Sequence, residues 1–318
     1  MFAVETQGLV KRYGKVFALK GLDFTVNPEE IMVLLGPNGS GKTTLLMTLA
    51  TVLKPSSGTA KVMGLDVIKQ PTQVRQILGI SFQDARGFWR HKPAEILEFH
   101  AAMCGMTKAQ SKPLIEQVLK DLELWEARNK LFMHLSGGQA KRVEVAKLLI
   151  QHPKFAIFDE PSSQVDLRGK RTIWEHIQGL REKGSTILVA TNEVREAEYL
   201  ADRVTILDQG QSIICDTVRN LKDKITGGDI VELELEQAEN APSIEEDLGR
   251  IAGTVKIAPT AKNKYKAYVS IGEAWVPKMT NLCYEKDVRV RSVRVTEPSL
   301  DDVFLNFTGR KLETEDNA

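Results

Sequence analysis

Residues 31–53 read IMVLLGPNGSGKTTLLMTLATVL, and this stretch decides the fold of the N-terminal part of the chain. A continuously apolar run of strand length is followed by a glycine-rich loop and then by a helical pattern. The loop, residues 36–43, fits G-x-x-x-x-G-K-[ST] in the strand–loop–helix context that this motif requires. Glycines let backbone N–H groups approach an anion without Cβ clashes, so the stretch predicts a phosphate-binding loop.

The residue types of this loop indicate which contacts a nucleotide would receive. Lys42 is predicted to reach the β- and γ-phosphates, and the Thr43 hydroxyl is predicted to bind Mg²⁺. A glycine-rich turn that binds nothing is disfavoured by the flanking strand and helix. The predicted nucleotide-binding residues of the loop are Gly36, Pro37, Asn38, Gly39, Ser40, Gly41, Lys42, Thr43 and Thr44.

Two later apolar runs extend the same fold. KFAIFDE at residues 154–160 and STILVAT at residues 185–191 are continuously apolar, which predicts strands buried on both faces of a largely parallel sheet. Ligands of open α/β sheets bind at the carboxyl ends of the strands. We therefore expect Asp159 to hold Mg²⁺ through its water and Glu160 to polarise an attacking water.

Residues 135–139 read LSGGQ and open a helical pattern in which Val143, Ala146, Leu149 and Ile150 recur at helical spacing. A helix that begins with Ser-Gly-Gly presents bare backbone N–H groups at its positive dipole end, which favours an anion. The chain therefore has a second predicted anion-binding helix start, far from the phosphate loop in the sequence.

The phosphate loop, LSGGQ and the Asp-Glu pair together resemble the nucleotide-binding subunit of ABC transporters, over residues 4 to about 218. The resemblance implies an α/β P-loop ATPase that binds ATP and Mg²⁺. Its domain would span residues 1–218, with a parallel sheet core, an N-terminal antiparallel β part and a helical subdomain at about 88–150. It also implies that Tyr13 stacks on adenine, that Gln83 contacts Mg²⁺ and signals to a membrane partner, and that Asp166 crosses to a second subunit.

The resemblance also gives LSGGQ a role between subunits. In this family two subunits meet head to tail, and the signature of one closes on the γ-phosphate held by the other. Hydrolysis then lets the pair open. The signature residues implied to contact ATP in this way are Ser136, Gly137, Gly138 and Gln139.

The resemblance implies a peripheral subunit on the cytoplasmic side of the cell membrane. Its partners would be an integral membrane permease and a second ATP-binding subunit, in a homodimer or a heterodimer. No apolar run approaches the ~18–20 residues of a membrane helix. From a net charge of +1 and the lack of a basic stripe with interleaved aromatics, we expect no nucleic-acid partner. The cysteines lie far apart without a CxxC pattern, which fits a reducing compartment: Cys104, Cys215 and Cys283.

The order of predicted strands and helices changes after a polar stretch at residues 219–229, which we interpret as a linker. Residues 230–309 follow the order βαββαβ, typical of a small α+β domain with a split βαβ arrangement. Residues 310–318 form a charged tail that is expected to fray. EPSLDDVFLNFTG at residues 297–309 resembles the closing motif of export-type ATPases of anthracycline resistance and sodium efflux. The same segment fits a helix that buries an apolar face, and both interpretations stay open.

Two departures from the family pattern concern turnover. Asn192 stands where the family usually has a His that contacts the γ-phosphate, and an amide is shorter and cannot become cationic. We expect the weaker contact with the transition state to slow ATP hydrolysis ~10-fold or more. Ser163, Gln164 and Val165 stand where small-Gly-Leu is more usual. Either Asn192 substitutes adequately in a slower homodimer, or the chain pairs with a different ATPase and its own site mainly binds ATP.

The sequence thus predicts the ATP-binding and ATP-hydrolysing subunit of an ABC membrane transporter, and its C-terminal segment favours an exporter. One alternative is a soluble ABC-type ATPase that acts on nucleic acid or ribosomes, which the single cassette and the lack of sustained heptads disfavour. Another is a regulatory module that binds ATP with little turnover. Phe88 and Trp89 are candidates for a permease docking patch, or else they pack within the helical subdomain.

Overall fold

The computed structural model describes residues 1–83, 89–225, 228–236, 241–296, 298–310 and 312. The chain divides into a first unit that comprises Met1–Thr217 together with Leu312, and a second unit within Val218–Lys311. Each unit is described by itself. Within the described ranges, no helix is both long enough and apolar enough to cross a membrane.

Two sheets and seven α-helices make up the described part of the first unit. The strands are β1 (Val4–Tyr13), β2 (Val16–Val26), β3 (Ile31–Leu35), β4 (Ser57–Val62), β5 (Leu65–Asp66), β6 (Leu78–Ser81), β7 (Phe155–Asp159), β8 (Thr186–Thr191), β9 (Arg203–Asp208) and β10 (Gln211–Asp216). The helices are α1 (Lys42–Leu49), α2 (Pro71–Ile77), α3 (Pro93–Met103), α4 (Lys108–Asp121), α5 (Gly137–Gln151), α6 (Leu167–Glu182) and α7 (Val194–Leu200).

The larger sheet accounts for the continuously apolar runs. Its strand order is β10-β9-β3-β8-β7-β6, and all neighbouring strands are parallel except β9 and β10. Every residue of β3, β7 and β8 is buried, as expected of central strands covered on both faces. The predicted parallel core is confirmed.

The predicted N-terminal antiparallel part is also confirmed. Its sheet has the order β2-β1-β4-β5, and β1 pairs antiparallel with both β2 and β4. Leu22 and Phe24 of β2 belong to the same buried cluster as Leu34 of β3 and Leu45 of α1. This packing fixes α1, and with it the phosphate loop, between the two sheets. Helices α3, α4 and α5 pack against one another in the predicted helical region.

The second unit contains α8 (Val218–Asp223), β11 (Asp229–Leu235), α9 (Ala241–Arg250), β12 (Thr254–Ala261), β13 (Lys264–Val269), α10 (Gly272–Glu285), β14 (Val290–Thr296) and α11 (Leu300–Thr308). From β11 to β14 the element order is βαββαβ, as predicted. The sheet order is β12-β13-β11-β14, and each neighbouring pair is antiparallel. Its core joins Val231 and Leu233 of β11 to Trp275 and Met279 of α10.

The stretch predicted as a linker, residues 219–229, is not wholly irregular. Helix α8 occupies its first part, where Leu221 is buried, and Ile225, just beyond the end of the helix, is buried as well. Helix α8 packs against α11 within the same unit. Of the tail that was expected to fray, all but Arg310 and Leu312 lies outside the described residues.

Candidate active site

Four parallel strands of the larger sheet end at the same edge. β3, β8, β7 and β6 are successive neighbours, so the loops that follow them leave the sheet side by side. This is the edge at which open α/β sheets bind ligands. The predicted residues that it gathers are the loop of residues 36–43 after β3, Asn192 after β8, Glu160 after β7 and Gln83 after β6.

Packing of the phosphate loop requires its glycines. A Cβ atom on Gly36 would lie 2.2 Å from the carbonyl oxygen of Leu207, and one on Gly41 would lie 2.6 Å from that of Ala18. Gly41 also has a φ of +107°, which other residues rarely adopt. Ser40 Oγ is buried and has no hydrogen-bond partner among the described residues. An unpaired buried hydroxyl in this loop fits a site that receives a polar ligand.

Lys42 begins α1 and turns its ammonium group back over the loop. Its Nζ donates to the carbonyl oxygens of Gly36 at 2.6 Å and of Pro37 at 3.1 Å. Burial lowers the pKa of Lys42, whereas the charges of Glu160 and Asp159 raise it. The ammonium is therefore held inside the loop, facing two acidic side chains, where phosphate oxygens can bind it.

Thr43 and Asp159 meet beside the loop. Thr43 Oγ1 donates to Asp159 Oδ2 at 3.0 Å. Burial raises the pKa of Asp159, and the Thr43 hydrogen bond and the nearby Lys141 and Lys42 charges oppose that rise. A hydroxyl and a carboxylate are the oxygen ligands that Mg²⁺ takes at phosphate sites, so this pair fits the predicted metal.

Gln83 and Glu160 form a second pair at the same edge. Gln83 Nε2 donates to Glu160 Oε2 at 2.7 Å. The backbone N–H of Glu160 donates to the carbonyl oxygen of Ala190 at 2.8 Å. Glu160 has a φ of +48°, a strained conformation that typically clusters at functional sites. One hydrogen bond thus joins Gln83, the predicted Mg²⁺ ligand, to Glu160, which is predicted to polarise the attacking water.

The signature residues open α5 through a reciprocal cap. Ser136 Oγ accepts from the Gln139 N–H at 3.1 Å, and Gln139 Oε1 accepts from the Ser136 N–H at 3.1 Å. A Cβ atom on Gly137 would lie 2.5 Å from Gln164 Oε1. Gln164 itself has a φ of +60°, which is unusual for a residue other than glycine. Gln164, which stands where the family pattern usually has Gly, therefore lies directly against the signature.

The remaining predicted residues lie at element ends. Tyr13 ends β1 with 47% of its surface exposed, and Lys11 Nζ lies 5.1 Å from the centre of its ring. Asp166 caps α6, and its Oδ1 accepts from the Gly169 N–H at 2.7 Å. Asn192 is half-buried between β8 and α7. An exposed ring is available for stacking, whereas Asp166 already has a structural role within its own chain.

Sequence reasoning missed several buried charged residues, and two of them, Lys141 and Glu196, make notable hydrogen bonds. Lys141, on α5, donates to main-chain carbonyls at the edge where Glu160 lies. Glu196, on α7, accepts from Ser162 Oγ at 2.6 Å and from Trp174 Nε1 at 2.8 Å. Charged residues within helical patterns are usually exposed, so the local sequence gives little signal for either residue.

Replacing Glu196 by Gln should stabilise the fold at neutral and alkaline pH. Burial raises the pKa of Glu196 above its ordinary value of 4.5, so the folded chain keeps a proton that the unfolded chain releases. The wild-type chain therefore loses stability as the pH rises from 4.5 towards the folded pKa. A neutral amide avoids that loss, about 1.4 kcal/mol for each pH unit between the two pKa values, and its oxygen can still accept both hydrogen bonds.

Thermal unfolding between about pH 4 and pH 8 tests this expectation. The Tm advantage of Glu196→Gln should grow with pH and vanish near the ordinary carboxyl pKa. Glu182→Gln, at an exposed position on α6, is the matched control and should give no pH-dependent advantage. A Tm difference that does not change with pH would contradict a raised pKa of Glu196.

Comparisons with known proteins agree with this geometry. The profile of the family described as ABC transporter matches residues 19–163. The daunorubicin resistance ATP-binding protein DrrA2 of Streptomyces coeruleorubidus is 32% identical over 312 residues, which cover 98% of this chain and 97% of that protein. The Nod factor export ATP-binding protein I of Rhizobium etli is 29% identical over 323 residues, which cover 98% and 95%.

A solved structure shows the same fold. It is described as a dimeric post-hydrolysis state of an ATP-binding cassette bound to ADP and Pi. It superposes with a TM-score of 0.63 at 24% identity, over 67% of this chain and 98% of that one.

The fold and the site define a P-loop ATPase of the cassette type. The chain belongs to the ABC transporter family, and it is an ATP-binding and ATP-hydrolysing subunit of a transporter of that family. The relatives support this prediction rather than a soluble ABC-type ATPase or a regulatory module.

Proposed function

We propose that this subunit powers a membrane exporter. ATP would close a head-to-tail pair of cassettes, and hydrolysis would let the pair open, as in a ligand-dependent rigid-body switch. The observation that carries the proposal is the convergence of the Thr43–Asp159 and Gln83–Glu160 pairs beside the phosphate loop. Similarity over nearly the whole chain to relatives described as resistance and export ATP-binding proteins supports the direction of transport.

The residues at the carboxyl-end edge of the larger sheet would have different roles in ATP hydrolysis. Lys42 and the loop N–H groups bind the phosphates, and Glu160 orients and polarises the attacking water. Thr43, Gln83 and Asp159 are the residues that would hold Mg²⁺, which supplies charge neutralisation at the β- and γ-phosphates when it is bound. Asn192 would contact the γ-phosphate through its amide. Positioning and electrostatic stabilisation, rather than covalent chemistry, then lower the barrier.

The second half of the site would come from another cassette. Ser136, Gly137 and Gly138 of one subunit would close on the ATP held by the other, with Gln139 keeping the signature capped. Backbone N–H groups at a helix start suit the γ-phosphate, so ATP becomes part of the interface. Asp166, which caps α6, would lie beside the same interface.

A permease would dock on the helical region. Trp89 has 67% of its surface exposed and Met133 has 54%, and the Met133 N–H donates to the Trp89 carbonyl oxygen at 3.2 Å. These two exposed apolar side chains would form the centre of a docking surface, and Trp89 follows shortly after Gln83 in the sequence. Phe88, the other predicted contact, lies outside the described residues. The subunit would then be held peripherally at the cytoplasmic side of the cell membrane.

A mild-detergent pull-down of the tagged chain from native membranes, with mass spectrometry of the bound proteins, tests the export proposal. A stoichiometric polytopic membrane protein supports it, and a second ATPase beside that protein indicates a heterodimer. Trp89→Glu should lose the permease but keep basal ATPase activity. Val52→Glu, at another exposed apolar position, should keep both. Recovery of soluble partners alone would contradict the proposal.

Replacing Asn192 by His should raise kcat for ATP hydrolysis about 10-fold. A longer side chain that can become cationic would restore the contact with the γ-phosphate that an amide makes less well. Steady-state phosphate release at saturating ATP measures the change, and Asn192→Ala, which cannot make the contact, should be no faster than the wild type. An unchanged rate in Asn192→His would contradict the view that position 192 limits turnover.

A further inference from the structure

Lys141 is a buried cation to which the proposed mechanism assigns no role. It lies on α5, and only 4% of its surface is exposed. Its Nζ donates to three main-chain carbonyl oxygens, those of Phe82 at 2.9 Å, Gln83 at 3.1 Å and Asp159 at 2.9 Å. The three donors of an ammonium group are therefore all used, and within the described residues all of them serve backbone acceptors.

The burial of this ammonium is unfavourable by itself. Burial lowers the pKa of Lys141, and the charges of Asp159 and Glu144 oppose that effect. A buried charge is tolerated when its hydrogen bonds are complete, and removing it leaves its partners unsatisfied in an apolar region. Loss of the ammonium would therefore remove one hydrogen-bond donor from each of the three carbonyls.

These carbonyls belong to the backbone on either side of the Gln83–Glu160 pair. The Phe82 and Gln83 carbonyls lie where the chain leaves β6, so they set the direction of the Gln83 side chain. The Asp159 carbonyl belongs to the peptide unit that enters Glu160. That peptide unit is held at both ends, by Lys141 at its oxygen and by Ala190 at its N–H group. This anchoring maintains the left-handed backbone of Glu160.

We propose that Lys141 is a positioning residue for ATP hydrolysis, which aligns Gln83 with Glu160 and ties both to α5. The inference rests on the proposed roles of Gln83 and Glu160 in hydrolysis. Helix α5 begins at the signature, which would bind the ATP of a second cassette. Lys141 therefore connects the signature to Gln83 and Glu160, which act on the chain's own ATP. If the signature moved when it contacted the ATP of the second cassette, α5 and Lys141 would move with it. The alignment of Gln83 with Glu160 at the chain's own ATP would then change.

Kinetics of Lys141→Met separate positioning from general stability. We expect kcat to fall about 10–100-fold, while the KM for ATP stays within about twofold, because the phosphate loop is untouched. Lys141→Gln, whose amide can serve two carbonyls, should recover part of the rate, and it replaces Lys141→Met if the latter does not fold. Lys147→Met is the matched control, because Lys147 lies on the same helix and pairs with Glu144, not with the site.

A double-mutant cycle with Gln83→Ala tests the route of the effect. If Lys141 acts through Gln83, the double variant should hydrolyse ATP at nearly the rate of the slower single variant. Losses that multiply, an unchanged kcat in Lys141→Met, or an equal loss in Lys147→Met would overturn the inference. Glu160→Gln, measured beside them, separates the two proposals. Normal hydrolysis in Glu160→Gln refutes the proposed role of Glu160, whereas its loss beside a normal Lys141→Met refutes only the role of Lys141.

Discussion

The Glu160→Gln variant should lose ATP hydrolysis by a factor of about 10²–10⁴, while it still binds ATP. The amide has nearly the shape of the carboxylate, and its oxygen can still accept the hydrogen bond from Gln83 Nε2. It cannot polarise a water molecule as a carboxylate does. Lys42 loses one of its two acidic neighbours but keeps Asp159 and the loop carbonyls, so the phosphate site stays intact.

Two measurements check this expectation. Steady-state phosphate release gives the loss of kcat, and nucleotide titration gives the retained affinity. In size-exclusion chromatography, ATP should shift the variant to a stable pair, because the closed state is no longer reset by hydrolysis. Asp159→Asn is the contrasting control, since it keeps an oxygen for the Thr43 hydroxyl but removes the carboxylate charge that is proposed to hold Mg²⁺, and it should weaken Mg²⁺-dependent nucleotide binding as well. A Glu160→Gln chain that hydrolyses ATP at the normal rate would contradict the role given to Glu160.

The fold could be predicted wherever the sequence pattern was tied to a physical cause. The runs that became β3, β7 and β8 are apolar throughout because both faces of these strands are covered. A parallel arrangement then places their carboxyl ends together, so the proximity of Thr43 and Asp159, far apart in sequence, follows from topology.

Other features required tertiary information. Lys141 looks like one more polar residue on a helix, and only the assembled sheet edge shows the three carbonyls that surround it. The left-handed backbone of Gln164 and its contact with Gly137 join two segments that are distant in the chain. Residues 219–223, in the stretch predicted as a linker, belong to α8, because packing against a neighbouring helix stabilises a short helix that the local sequence does not reveal.

The Gly137→Asp variant should lose ATP hydrolysis by a factor of about 10²–10³. The new side chain would meet Gln164 Oε1, which lies 2.5 Å from the Cβ position, and it would place a negative charge where the γ-phosphate of the opposite ATP is proposed to bind. Nucleotide binding by the single chain should persist, because its own phosphate loop is unchanged. Gly179→Asp is the matched control, since a Cβ at this helical glycine meets no described atom within 4 Å.

Mixing the two inactive chains, Glu160→Gln and Gly137→Asp, should restore hydrolysis to about one quarter of the wild-type rate. In a head-to-tail pair, one site combines both defects, and the other combines the intact Glu160 of one chain with the intact signature of the other. Half of randomly formed pairs would be mixed, and each would have one working site. A mixture of Glu160→Gln with Lys42→Met should stay inactive, because both changes lie in the same half of the site. Failure of the first mixture to recover would contradict a homodimer that shares its sites.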